Sequence, residues 1–204
     1  MRFLLATHNK GKVREIRLAL SKFNIEFDSL AGQGHLSQAL EVGSTFAENA
    51  RLKAEHYYQL SGSPTLAEDS GILVEALDGK PGVHSARFAP TDKERVEKLL
   101  RMLDSFSSPF SRGARFVSAI CLFLPDHLIE VTGEVQGELT REPRGTHGFG
   151  YDPIFYYPPL EKTFAQLTTE EKNKVSHRAR ALEKLSLELA GRATQSGRII
   201  APMK

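Results

Sequence analysis

The fold class is decided by residues 2–20, RFLLATHNKGKVREIRLAL. Residues 2–7 form a short apolar run, which predicts a buried strand. After a polar loop at residues 8–11, Val13, Ile16 and Leu20 recur at helical spacing and predict a helix over residues 11–20. A strand followed directly by an amphipathic helix is typical of the start of an α/β unit.

The following residues continue this alternation. We expect a helix over residues 45–60, because Thr45 and Glu48 have the spacing of a capping box. Strands are predicted over residues 25–30, 65–67 and 71–77, with a loop at residues 31–38. The last two of these strands flank a polar interruption, Glu68-Asp69-Ser70.

The second half predicts a helix, a hairpin and a final helix. Thr91 and Glu94 form another capping box before apolar residues at helical spacing. The predicted elements are the strands 115–124 and 128–140, joined by a turn at Pro125-Asp126, a helix over residues 170–190, a loop at 105–113 and a frayed tail at 195–204. We find no repeat or linker, so residues 1–204 are interpreted as a single mixed α/β domain.

Composition excludes several classes of protein. The 204 residues include 27 basic and 25 acidic residues, a net charge of +2, which argues against a nucleic-acid polymer as partner. No apolar run approaches the roughly 18–20 residues of a membrane span. The single cysteine, Cys121, allows no intrachain disulfide and favours a reducing, cytoplasmic location.

The loop between the first strand and helix is a candidate phosphate site. Backbone N–H groups at such a corner can bind phosphate, and the polar and cationic side chains here add donors and charge. The candidate residues are Thr7, His8, Asn9, Lys10, Gly11 and Lys12. A solvated turn is the alternative. A P-loop is a poor match, because Ala6 and Val13 replace its first glycine and its hydroxyl residue.

Acidic residues in two segments suggest a metal site. Glu68 and Asp69 are adjacent, and in an extended chain they point to opposite faces. Carboxylates of this kind suit Mg²⁺, although an isolated acidic pair is also typical of a solvated turn. Glu41 is a further acid, and Lys53 is placed either to meet phosphate or to extend into solvent.

Two C-terminal segments could recognise a base. Phe149 lies between two glycines, which would leave its ring face open to a flat base, although an aromatic plug in the core is the alternative. Lys172 lies roughly 140° from His177 and roughly 120° from Arg178 on one unbroken helix. If all three meet one ligand, the helix must break near Ser176, a good N-cap residue. A basic solvated helix face is the alternative.

Five segments together resemble one family. They are LLATHNKGKVREI (4–16), EVGSTFAENARLKA (41–54), LAEDSGILVEALDGKPGVHSARFA (66–89), FGYDPIF (149–155) and EEKNKVSHRARAL (170–182). In this order and spacing they resemble the HAM1/RdgB-like inosine triphosphate pyrophosphatases, also described as XTP/dITP diphosphatases. The resemblance covers nearly the whole chain.

The resemblance implies an activity and a fold. Members of that family hydrolyse the α–β phosphoanhydride of ITP, dITP and XTP, releasing a nucleoside monophosphate and pyrophosphate. It further implies Mg²⁺ as the cofactor, a homodimer, and a mixed-sheet α/β fold with two lobes around a central substrate cleft. An enzyme that acts on modified pyrimidine nucleotides and an inactive nucleotide-binding regulator are the alternatives.

The resemblance also implies a role for each candidate residue. Asp69 would be the catalytic carboxylate that serves the attacking water, and Asp69 and Glu41 would hold the metal. The triphosphate would be bound by residues 7–12 and Lys53, and Ser70 would contact the substrate. The base and sugar–phosphate contacts would come from Phe149, Gly150, Tyr151, Asp152, Lys172, His177 and Arg178.

One departure from the family concerns Glu68. The family commonly has two aspartates where this chain has Glu68-Asp69, so a direct metal contact of Glu68 is left open. His177 and Arg178 are hydrogen-bond donors that would bind the oxygen at position six of hypoxanthine. The amino group of adenine at that position is itself a donor and would find no acceptor there.

Overall fold

The computed structural model describes residues 2–21, 23, 25–33, 36–104 and 112–196. Within them, seven strands form one sheet in the order β2-β1-β3-β4-β5-β6-β7. The strands are β1 (Arg2–Leu5), β2 (Glu26–Ser29), β3 (Thr65–Val74), β4 (Gly113–Phe123), β5 (Leu128–Leu139), β6 (Phe155–Tyr157) and β7 (Lys162–Thr163). Strand β1 runs parallel to β2 and β3, whereas β6 runs antiparallel to β5 and β7. The predicted mixed α/β fold is confirmed.

The first four of the five described helices begin where the sequence provides N-caps. The five are α1 (Lys10–Ala19), α2 (Phe46–Ser61), α3 (Asp92–Leu103), α4 (Thr169–Val175) and α5 (His177–Ser196). Both predicted capping boxes are present: the Thr45 hydroxyl accepts from the Glu48 amide, and Thr91 does the same for Glu94. Gly62 ends α2 in the left-handed region, at φ 66°, a conformation that favours glycine. These ends depend on neighbouring residues alone, which is why the sequence predicts them.

The chain divides into two compact units, each with its own apolar core. Met1–Asp69, Ser118–Gly133 and Arg178–Lys204 form the first unit, and Ser70–Val117 and Glu134–His177 form the second. The core of the first unit is built mainly from β1, α1, β4 and α5, and includes Phe3, Ile16, Leu66, Ile120 and Leu185. The core of the second is built mainly from β3, α3, β5 and β6, and includes Ile72, Leu99, Phe116, Leu139 and Phe155.

The structure differs from the sequence prediction in the acidic segment. Strand β3 continues through Glu68-Asp69-Ser70 without the predicted interruption, and both acidic side chains are buried. They remain in the strand because other side chains bind their carboxylates, and those partners lie far away in sequence. The alternative of a solvated turn is therefore wrong.

The predicted final helix is two helices. Ser176 separates α4 from α5 with an extended backbone, at φ −72° and ψ 161°, so the break expected from the positions of Lys172, His177 and Arg178 is present. Part of the predicted loop at 31–38 is a short 3-10 helix, Leu30–Gln33. Residues 105–111 of the predicted loop at 105–113 and residues 197–204 of the predicted tail lie outside the described residues, while residues 195–196 end α5.

Among the described residues, no helix is both long and apolar enough to span a membrane.

Cys121 is a buried free thiol in β4, and burial raises its pKa to about 12. A thiol in that state is a packing residue and a poor nucleophile.

Truncation of Leu99 tests the core of the second unit. Leu99 on α3 is 0% exposed, so we expect Leu99→Ala to lower the free energy of unfolding by about 2–5 kcal/mol. Leu187→Ala, at a position that is 68% exposed, should change it by less than about 0.5 kcal/mol. Urea unfolding followed by circular dichroism measures both, and equal losses would contradict the described core.

Candidate active site

The loop after β1 is shaped by its own polar residues. The Asn9 side chain caps α1 by accepting from the Lys12 amide at 3.1 Å, and the Asn9 amide donates to the Thr7 hydroxyl at 3.1 Å. The first turn of α1, KGKV, carries two lysines. Cations are unfavourable at a helix N-terminus, where anions are stabilised. The loop is therefore suited to an anionic ligand.

A basic groove adjoins this loop. It has a volume of about 590 Å³ and is lined by Thr7, His8, Lys10, Val13, Arg14, Arg17 and Ser29. Lys10, Arg14 and Arg17 follow one another at spacings of four and three residues, which places them on one face of α1. None of these described lining residues is acidic. Arg14 and Arg17 are not among the candidates predicted from the sequence, although their helical spacing with Lys10 could have indicated them.

Glu68 is bound by cations and is hidden from solvent. Only 2% of the surface of Glu68 is accessible to solvent. The Nε of Arg178 donates to both carboxylate oxygens at 3.0 Å, and Ser118 donates its hydroxyl at 2.7 Å. The Nζ of Lys12 lies 3.7 Å from the same carboxylate. Glu68 therefore holds Arg178 and Lys12 within the first unit.

Glu15 completes this cluster of charges. Its carboxylate is buried on α1 and pairs with the second side of the Arg178 guanidinium. Two carboxylates and two cations thus balance, in a place where an unpaired charge would be costly. Glu15 and Ser118 are not among the candidates predicted from the sequence. The sequence feature that could have indicated them is a polar residue among apolar ones, Glu15 on helix α1 and Ser118 in strand β4.

The pKa shifts follow from this arrangement. Burial alone would raise the pKa of the Glu68 carboxyl, but the charges of Arg178 and Lys12, with hydrogen bonds from Arg178 and Ser118, hold it well below its ordinary value of 4.5. Burial likewise opposes the charge on Arg178, yet Glu68 and Glu15 raise its pKa. For Lys12, removal from water outweighs Glu68 and lowers the pKa.

Asp69 has a separate set of partners. Asn49 donates its side-chain amide to one Asp69 oxygen at 3.1 Å, and Lys53 lies 3.4 Å from the other. The Asn49 side chain is itself oriented, because its oxygen accepts from the Gly43 amide at 2.8 Å. Asp69 is therefore fixed through both of its oxygens, and its partners differ from those of Glu68, as expected for neighbours in a strand.

Lys53 joins Asp69 to Glu41. Its ammonium lies 2.7 Å from a Glu41 oxygen and donates to the Glu68 backbone carbonyl at 2.9 Å. Two carboxylates thus converge on one positive charge. No group of three or more His, Cys, Asp or Glu side chains suited to a metal occurs in the described part of the chain. Mg²⁺ commonly uses one or two protein carboxylates together with substrate phosphates and water, so Glu41 and Asp69 fit such an ion.

A second group of candidate residues lies within the second unit. The Phe149 amide donates to Asp152 at 2.9 Å, and the same Asp152 oxygen is 2.5 Å from the Lys172 ammonium. That ammonium lies 4.7 Å from the centroid of the Phe149 ring. Asp152 and Lys172 are buried, whereas Phe149 is partly exposed and so is not a core plug. The structure brings these three residues together.

The remaining candidates of the second unit include His177, Tyr151 and Ser70. The His177 ring is buried and stacks on Phe116, with centroids 4.7 Å apart. Tyr151 is buried and donates its hydroxyl to the Ser85 carbonyl at 3.0 Å, and burial raises its pKa. Ser70 is partly buried in β3. Arg178 belongs to the first unit, where its donors are directed at Glu68 and Glu15.

Comparison with known proteins identifies the family. The model of the Ham1 family matches residues 3–187, and this chain belongs to that family. A dITP/XTP pyrophosphatase of Halalkalibacterium halodurans is 46% identical over 90% of this chain and 96% of its own length. One from Exiguobacterium strain AT1b is 43% identical, over 93% and 97% respectively. The solved structure of a HAM1 protein from Coxiella burnetii has a TM-score of 0.85 at 40% identity, covering 94% of this chain and 99% of that one.

Neutralising Glu68 should destabilise the protein. Glu68→Gln leaves Arg178 buried with only Glu15 as a carboxylate partner, so we expect a loss of about 3 kcal/mol in the free energy of unfolding at pH 7. Glu68→Asp keeps the charge and should lose less. Denaturant unfolding of the three proteins checks the order.

The same pair predicts an acid dependence. Because the folded-state pKa of Glu68 is lowered, its stabilising contribution is present above about pH 4.5 and is lost as the pH falls through the folded-state value. We expect unfolding free energies measured between neutral and acidic pH to fall less steeply for Glu68→Gln than for the wild type. Parallel pH profiles would contradict the assignment.

Proposed function

We propose that this chain hydrolyses non-canonical purine nucleoside triphosphates, namely ITP, dITP and XTP, to the nucleoside monophosphate and pyrophosphate. The observation that carries the proposal is the convergence of Glu41 and Asp69 on a single positive charge, in the unit that also holds the cationic loop of residues 7–12. Membership of the Ham1 family supports it, as do the relatives named dITP/XTP pyrophosphatase.

The triphosphate is assigned to the first unit. In the proposal, Thr7, His8, Asn9 and Gly11 supply hydrogen bonds from the loop, while Lys10, Lys12 and Lys53 supply positive charge. The basic groove beside the loop favours an anionic ligand over a neutral one. Preorganised cations of this kind stabilise charge that develops on phosphate oxygens in the transition state.

Glu41 and Asp69 are the proposed metal ligands, with Mg²⁺ as the ion. When bound, such an ion neutralises phosphate charge and lowers the pKa of a coordinated water. Asp69 is the proposed catalytic residue, which orients the attacking water and accepts its proton. The contacts from Asn49 and Lys53 hold the Asp69 carboxylate in one orientation, so little reorganisation is needed when the substrate arrives.

Base and sugar contacts are assigned mainly to the second unit. Phe149 is proposed to stack on the base, with Gly150, Tyr151 and Asp152 shaping its loop. Ser70, Lys172 and His177 are proposed as further substrate contacts. Arg178 is proposed as a donor to the base oxygen, which would require it to share or exchange contacts that Glu68 and Glu15 now hold. The homodimer stays a prediction that rests on the family resemblance. The cytoplasmic location stays a prediction from the single cysteine, and the single domain one from the lack of a repeat or linker in the sequence.

The products from ITP test the reaction. Purified protein is incubated with ITP, with and without Mg²⁺, and the products are separated by anion-exchange chromatography. We expect IMP and pyrophosphate, formed only with the metal, and little turnover of ATP or of modified pyrimidine triphosphates. Formation of IDP and phosphate would overturn the proposal, and binding without turnover would favour the inactive regulator.

Replacing Asp69 tests its catalytic role. Asp69→Asn keeps the size of the side chain but removes the charge that serves the water, so we expect the rate of ITP hydrolysis to fall by roughly 10²–10³ with folding intact. Circular dichroism serves as the folding control. Near-normal turnover by the folded variant would remove Asp69 from the mechanism.

A further inference from the structure

Two carboxylates bind consecutive backbone amides in the loop that carries Phe149. The Phe149 amide donates to Asp152 at 2.9 Å, and the Gly150 amide donates to Asp92 at 2.7 Å. Asp152 lies within the same loop, whereas Asp92 is the first residue of α3, 58 positions earlier in the chain. Both residues belong to the second unit. The Phe149 loop is thus tied to an adjacent helix at one backbone atom.

The hydrogen bond from Gly150 to Asp92 restricts a backbone position that is otherwise free to change conformation. Its φ is 63°, in the left-handed region, and a Cβ placed there would meet no atom within 4 Å. Glycine has the widest conformational freedom of any residue, and no packing restricts it here. The hydrogen bond to Asp92 therefore selects one conformation immediately after Phe149.

Asp92 is itself held in place. Its other oxygen is 2.5 Å from the Nη1 of Arg95, and Arg95 donates to the carbonyls of Ala89 and Pro90 at 2.9 and 3.2 Å. The arginine is thereby fixed at three points and directs the second Asp92 oxygen to the loop. An N–H donor to a carboxylate forms a charge-assisted hydrogen bond, which is stronger than a neutral one.

We propose that Asp92 is a positioning residue for base recognition, acting through the Gly150 amide on the ring of Phe149. The proposal rests on the proposed function, in which Phe149 stacks on the base. Asp92 lies on α3, outside the candidate residues for phosphate and metal, so its loss should weaken nucleotide binding and base discrimination while leaving the chemical step intact.

Glu94 provides a matched control. It lies on the same first turn of α3 and also carries a carboxylate, but its contacts are the capping bonds to Thr91. Asp92→Ala and Glu94→Ala each remove one acid from the N-terminus of α3, and only Asp92→Ala releases Gly150. Asp92→Asn keeps an acceptor oxygen and serves as the rescue variant.

The first readout does not need catalysis. Amide hydrogen exchange at Gly150, measured by NMR, should become at least about tenfold faster in Asp92→Ala than in the wild type. It should remain close to wild type in Glu94→Ala and be largely restored in Asp92→Asn. Unchanged exchange in Asp92→Ala, or equal acceleration in Glu94→Ala, would overturn the proposal.

The second readout is the kinetics with ITP and ATP. For Asp92→Ala we expect KM for ITP to rise about tenfold, kcat to change less than about threefold, and the ratio of kcat/KM for ITP over ATP to fall. Glu94→Ala should keep wild-type values. A fall in kcat with KM unchanged, or wild-type kinetics in Asp92→Ala, would overturn the role of Asp92. Absence of ITP turnover in the wild type would instead overturn the proposed function.

Discussion

A buried ion pair between Glu68 and Arg178 is the constraint on which the candidate site depends. A carboxylate inside the fold is tolerated only when its charge is matched and its oxygens are bonded, because desolvation costs several kcal/mol for each ion. Here Arg178 binds both oxygens of Glu68, Ser118 binds one of them, and Glu15 pairs with the other side of the guanidinium. With Lys12 the cluster has two charges of each sign.

The ion pair between Glu68 and Arg178 determines which groups the neighbouring side chains can contact. Strand β3 alternates its side chains, so with Glu68 committed to Arg178, Asp69 is presented to a different set of groups. These groups are Asn49 and Lys53, and Lys53 continues to Glu41. Lys12 lies near Glu68, in the first turn of helix α1. The ion pair therefore lies in the same unit as the residues proposed for water, metal and phosphate. It also assigns Glu68 an internal partner, which argues against the direct metal contact left open by the sequence.

The sequence predicts the parts of this structure that depend on near neighbours. The caps at Thr45 and Thr91 are set by residues three positions away, and the break at Ser176 follows from helix rotation and a good N-cap. The continuity of β3 could not be predicted, because Glu68 is stabilised by a residue 110 positions later. The same reason hides Glu15 and the tie between Asp92 and Gly150. The residue types in the sequence indicate phosphate and metal chemistry. The partner of each charged side chain could be identified only from the folded structure.

The protonation state of the Glu68 carboxyl is the decisive measurement for the buried ion pair. Its side-chain ¹³C resonance, assigned by comparison with Glu68→Gln, can be followed by NMR as the pH is lowered from neutrality towards about pH 4 in the folded protein. Because Arg178 and Lys12 hold the pKa of Glu68 well below 4.5, the resonance should stay that of a carboxylate throughout. A midpoint near 4.5 or above would contradict the account, since the carboxylate would then not be held by the buried cations.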